Sequence, residues 1–209
     1  MNAFMADVGR YQREVPRRHR SVTALVMRRA GLQVLGVYRF GQWLRRSRHP
    51  LLRAGLMPLR WIVYAPLRQV LGRAYGISLA DSAEIGPGLY IGHGGGIDLR
   101  HCSLGAHCSI AQQTRIGPLP GAVAGPRIGN RVWIGAHAHV LGSIVVADGA
   151  TIAAGAHVAR DVPPRALVAG NPARVVRWGY DNTVILGDER QDNAPLGMVN
   201  VSDYEPGLG

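Results

Sequence analysis

Histidine is the side chain whose ordinary pKa suits it to move a proton near neutral pH, and this chain holds one in an unusual setting. In "YIGHGGGIDL", residues 90–99, His93 stands among Gly92, Gly94, Gly95 and Gly96. Glycine loses more conformational freedom on folding than any other residue and offers no side chain to pack. Four of them call for a tight bend, or for close approach by another backbone or a ligand, and leave the histidine at a surface. A neutral imidazole there can take the proton of a hydroxyl, and glycine N–H groups such as that of Gly94 can face a developing oxyanion. The nearest carboxylates in sequence that could orient it are Asp98 and Asp81. "HCSLGAHC", residues 101–108, has the residue types of a metal site.

The element that must hold His93 is a repeat. An aliphatic residue recurs every six positions at Leu79, Ile85, Ile91 and Ile97, then at Leu104, Ile110 and Ile116, and again from Ile128 through Ile134, Val140, Val146 and Ile152 to Val158. The next residue is usually small, as in "IGPG", "LGAH" and "IGNR". Period six fits neither an amphipathic helix nor an alternating strand. It fits a three-sided prism in which each hexad is one short strand and one turn. Stacked coils then bury a continuous aliphatic column, as other solenoids do. Cys108 falls at a position expected to point inward.

With three hexads per coil, a corner residue meets its counterpart 18 or 19 residues on. If the insert "PLPGAVAG", residues 118–125, counts as one hexad, His93 heads a polar column with Gln112, Asn130 and Asp148. Gln112 and Asn130 are then candidates to hold a substrate, and His139 lies outside the column.

The pieces "IGPGLYIGHGGGI", "RVWIGAHAHVLGSIVV" and "IAAGAHVARDVPPRALVAGNPARVV" resemble the left-handed β-helix, hexapeptide-repeat acyltransferases, and among them the serine O-acetyltransferase group and its relatives in polysaccharide tailoring. The resemblance covers about residues 73–178. It implies a mainly β fold, a left-handed parallel β-helix, with sites between the prisms of a homotrimer. It implies acetyl-CoA as co-substrate and no metal, with His93 as the general base. The positions matching the family's CoA groove are Gly117, Gly135, Ala136, Ala153 and Ala154, with Arg174 and Arg177 placed to meet nucleotide phosphates. Serine acetyltransferases usually carry an aspartate before the histidine, where this chain has Gly92, and a histidine where it has Gly125. An upstream Asp and His are replaced in "SLAD" from Ser78. These departures favour a sugar or another hydroxyl compound over serine as acceptor. Serine O-acetylation is the nearest alternative. Zinc carbonic anhydrases share the prism, but five residues beyond His93 stands Asp98 where they have a histidine. A scaffold without chemistry is the remaining class.

Charge divides the chain. Residues 1–75 hold 15 arginines against Asp7 and Glu14, a surplus of 13, and the rest of the chain has a net charge of −2. A basic helical module over 1–75, a β-helix over 76–178 and an acidic, loosely ordered tail over 179–209 are expected. The arginines alternate with Leu, Val and Trp and form no nucleic-acid motif, so no nucleic-acid partner is expected. Arg53, Arg60 and Arg68 would share a helix face if Pro58 and Pro66 did not break or kink it. Such helices either pack on the prism or lie against anionic lipid. No signal core or membrane span stands out, and Cys102 and Cys108 form no disulfide framework. The expected location is therefore cytoplasmic, with membrane contact through the N-terminal module.

Overall fold

The computed structural model describes residues 2–13, 21–46, 60–92 and 95–187. Helices α1 (Asn2–Arg13), α2 (Val22–Arg28) and α3 (Ala30–Arg46) come first. A single π-helical turn, Arg60–Tyr64, then leads into α4 (Ala65–Tyr75). Pro66 stands in the first turn of α4, where the missing N–H removes no intrahelical bond. Arg53 and Pro58 lie outside the described residues. Gly76 ends α4 in the left-handed region, φ 62°.

From Ile77 the chain winds into three parallel sheets. Sheet A stacks β1 (Ile77–Leu79), β4 (Ile97–Leu99), β7 (Arg115–Gly117), β10 (His139–Leu141) and β13 (His157–Val158). Sheet B stacks β2 (Glu84–Ile85), β5 (Ser103–Leu104), β8 (Arg127–Ile128) and β11 (Val145–Val146). Sheet C stacks β3 (Tyr90–Ile91), β6 (Ser109–Ile110), β9 (Trp133–Ile134), β12 (Thr151–Ile152) and β14 (Leu167–Ala169), closed by antiparallel β15 (Arg174–Arg177). The aliphatic positions form the buried column, and Ile91, Leu99, Ile116, Ile134 and Val140 are fully enclosed.

Two counts differ from the sequence reading. Leu79 pairs with Leu99, and Ile97 lies opposite Ile77, so the hexad position on sheet A is Leu99. Both residues are apolar and buried, so hydrophobicity does not distinguish them. The surplus residues lie in the glycine turn, and the following corner is shorter by one. Second, the whole stretch from Ile116 to Ile128 turns a single corner, between sheets A and B. The insert is extruded and counts as no hexad.

The small residue after each aliphatic has a specific cause. A Cβ on Gly86 or Gly105 would lie 2.6 Å from the backbone of the next coil, as would one on Gly135. The bend itself is made two residues later, where His107, Gln113, Arg131 and His137 take positive φ.

The helices cap the open end of the prism. An exposed strand edge leaves backbone groups without partners. Here Tyr11 Oη donates to Ile91 O (2.9 Å) and accepts from Ile91 N–H (3.0 Å). Tyr38 Oη donates to Ala83 O, and the Arg39 guanidinium donates to Ile85 O and Gly86 O, both at 2.6 Å. Leu89 N–H donates to Asp7, whose carboxylate also takes Arg39 Nε at 2.9 Å. At the other end of the chain, Asn182 Nδ2 donates to the carbonyls of Arg131 and Gly149, and Leu186 is buried. The first residues of the tail are thus packed on the prism.

Candidate active site

The glycine turn joins β3 to β4 at the corner between sheets C and A. His93 and Gly94 lie outside the described residues. Gly92 N–H donates to Ile110 O (3.0 Å), and a Cβ on Gly92 would meet nothing closer than 3.7 Å among the described residues. Gly95 (φ 111°) and Gly96 (φ 67°) adopt backbone that side chains rarely tolerate. They are gripped from two sides. A Cβ on Gly76 would lie 3.0 Å from Gly96 N, and Gly76 O accepts Ile97 N–H at 3.0 Å. Gln113, one coil on, donates its N–H to Gly95 O (2.9 Å), and its side chain fills the space a Cβ on Gly96 would need. Gly95 and Gly96 are therefore demanded by the fold, while Gly92 is not.

Register settles which residues share this corner. Ile91, Ile110, Ile134, Ile152 and Val168 align on sheet C. The column under the turn is therefore Gln112, Ala136, Ala154 and Gly170, flanked by Ala111, Gly135, Ala153 and Ala169. Asn130 and Asp148, expected here, follow sheet B instead. There they tie coils together: Asn130 Oδ1 accepts Ala106 N–H and Asp148 Oδ1 accepts Asn130 N–H, both at 2.8 Å. The expected column fails because the insert adds no hexad. Arg174 lies opposite Ala169, at the far end of the corrected column, and is exposed. Arg177 lies opposite Leu167, with its guanidinium over the Tyr180 ring. Gly117 is at the opposite edge of sheet A, beside the insert.

Between those two edges runs an outward row of Ser78, Asp98, Arg115, His139 and His157. The Asp98 carboxylate takes Arg100 Nε at 2.7 Å. Asp81 is at the corner after β1, held by Arg45 (2.6 Å), Arg68 (3.3 Å) and Tyr64 Oη (2.7 Å). His139 and His157 stack with ring centroids 4.5 Å apart. Desolvation, then the charges of His157, Arg115 and His137, hold the His139 imidazole below its usual value. The unfolded chain then binds more protons as pH drops, so stability is full above about pH 6.5 and lost below it. Wild-type Tm is expected to fall between about pH 7.5 and 5.5, and to fall less in His139→Gln. Parallel pH profiles of the two proteins would assign the loss to other groups.

Among the described residues no three metal-ligating side chains gather. Both thiols of "HCSLGAHC" are buried and unpaired. Burial pushes Cys102 up to about 12 and Cys108 to about 11.

A family model described as "Bacterial transferase hexapeptide (six repeats)" matches residues 125–160. A serine acetyltransferase of Synechococcus elongatus is 32% identical over 150 residues, 70% of this chain and 57% of its own. The solved serine acetyltransferase of Vibrio cholerae superposes with a TM-score of 0.73 at 27% identity, over 92% of this chain and 71% of that one. Soybean serine acetyltransferase complexed with serine is 30% identical with a TM-score of 0.66, over 83% of this chain and 68% of that one. The chain belongs to the hexapeptide-repeat acyltransferases of the serine acetyltransferase type. A solved member of this family in complex with CoA is 25% identical with a TM-score of 0.67, over 83% of this chain and 68% of that one. The chain spans 32–57% of the length of the serine acetyltransferases it matches in Arabidopsis thaliana and Synechococcus elongatus.

The two glycines that depart from the serine acetyltransferase pattern are not equivalent. Among the described residues Gly92 has room for a side chain, whereas one on Gly125 would overlap His101 O. Restoring the histidine at 125 would move backbone, and restoring the aspartate at 92 would not. Sequence reasoning missed Gly76, Gln113 and Tyr11. Gln113 could have been found one position after Gln112, while nothing in the spacing marks the other two.

Proposed function

We propose that the chain transfers an acetyl group from acetyl-CoA to a hydroxyl acceptor, with His93 as general base. The observation that carries this reading is the turn after β3. It is held in backbone that only glycine favours, and it stands at the head of a column of small residues ending at Arg174. An extended CoA arm along that column would meet backbone at Ala111, Gly135 and Ala153, with Arg174 at its phosphates. Imidazole with an ordinary pKa of about 6.5 is largely neutral at pH 7. It takes the acceptor O–H proton as the oxygen attacks the thioester carbonyl. The tetrahedral intermediate then expels the CoA thiolate, which recovers the proton from the imidazolium.

The working unit in this reading is a cytoplasmic homotrimer. The column and the extruded insert occupy opposite edges of sheet A, so the insert of one prism can reach the column of the next. Leu119 and Val123 of that insert are exposed. A solution mass about three times 22.5 kDa is expected.

The comparisons favour L-serine, the substrate named by the relatives. A sugar hydroxyl is the second reading, supported by Ser78, Gly92 and the closed position at Gly125. The test is thiol release from acetyl-CoA with L-serine or a nucleotide sugar. Release driven by L-serine in the wild type is the result expected of a serine enzyme. If serine is idle and the sugar drives release, the second reading holds, and Gly92→Asp should raise serine turnover. Release dependent on no hydroxyl acceptor would sink both.

A further inference from the structure

We propose that the outer face of α4 and the π-helical turn before it docks on an anionic lipid surface. Helices on a protein surface normally turn apolar residues inward. This segment does so with Tyr64, which is buried and bonded to Asp81, and with Leu71. Its outer face is also apolar. Ile62 is 72% exposed and Val70 63%, with Val63, Pro66 and Leu67 exposed between them. The 62/63, 66/67, 70 spacing places these side chains on one face of the segment. Isolated exposed apolar residues are ordinary, but a contiguous row on one helix face marks an interaction surface.

Charge selects the partner. Residues 60–75 carry Arg60, Arg68 and Arg73 and no acid, with Arg68 paired to Asp81, within a module whose surplus is 13 positive charges. A second copy of that module would bring like charge against like charge. An anionic bilayer supplies both the apolar phase and the countercharge, at about 1 kcal/mol per basic residue near the surface. Nucleic acid offers the charge without an apolar phase for Ile62 and Val70. Because α4 ends at Gly76, against Gly95 and Gly96, a bound membrane lies within about 16 Å, one helix length, of the glycine turn. Such docking does not depend on acyl transfer.

The test is co-sedimentation of the full chain with vesicles of phosphatidylcholine alone or mixed with phosphatidylglycerol. Wild type should pellet with the mixed vesicles, and added salt should weaken it. Ile62→Glu with Val70→Glu should lower partitioning roughly tenfold or more, since each loses the burial of one aliphatic side chain. Arg73→Gln, which leaves the apolar row intact, should lower it by a smaller factor. The solution mass of the double variant should equal that of wild type. Wild type that ignores the mixed vesicles, or a double variant that pellets as wild type does, would overturn the proposal. A fall in mass of the double variant would assign the face to a second copy and overturn it too.

Discussion

Replacing Asp7 by Ala is expected to destabilise the protein by about 3–5 kcal/mol, the scale for stranding one member of a buried ion pair. Asp7 is fully buried, and its two oxygens take Arg39 Nε at 2.9 Å and Nη2 at 3.2 Å. The same carboxylate accepts Leu89 N–H. Without it, Arg39 keeps its charge in a buried site, held among the described residues by carbonyls and Gln42. Leu89 N–H, on the open edge of the first coil, loses its acceptor. At about 2–4 °C per kcal/mol for a chain of this size, Tm should fall by roughly 10 °C at fixed protein concentration. Asp148→Ala is the control: its carboxylate is exposed and binds Asn130, so its cost should be about 1 kcal/mol. An Asp7→Ala protein as stable as the control would mean that the helices decorate the prism without capping it.

The prism was legible because its burial pattern is written in sequence order. Twelve of the thirteen aliphatic positions counted in the sequence are hexad positions in the structure, and they define what points inward whatever the neighbours are. The same signal could not separate Ile97 from Leu99, which are both apolar, nor assign the residues of the insert to coil or loop. The second ambiguity moved Asn130 and Asp148 to the wrong corner. The cap was not legible at all. Tyr11 and Ile91 are 80 positions apart, Asp7 and Leu89 are 82, and neither pair follows a period. A strand edge needs donors and acceptors, and any residue that can supply them from another element will serve. The glycine turn was read correctly as a demand on backbone. Among the described residues that demand falls on Gly95 and Gly96 and not on Gly92.

Replacing His93 by Ala should lower acceptor-dependent turnover by 10²–10⁴-fold, the usual contribution of a general base, or about 3–5 kcal/mol in the barrier. His93 occupies none of the inward aliphatic positions, so the variant should fold and assemble as wild type. CoA affinity should survive, since the column from Ala111 to Ala169 offers chiefly backbone. His93→Asn keeps a hydrogen-bonding group without a base and should be nearly as damaging. His139→Ala, on the flat face of sheet A, should stay active. The decisive measurement is thiol release from acetyl-CoA by His93→Ala at saturating acceptor, alongside CoA binding to the same preparation. Loss of turnover with binding retained is the predicted result. Full turnover in that protein would contradict the account, and the glycine turn would then be a corner of the prism with no part in the chemistry.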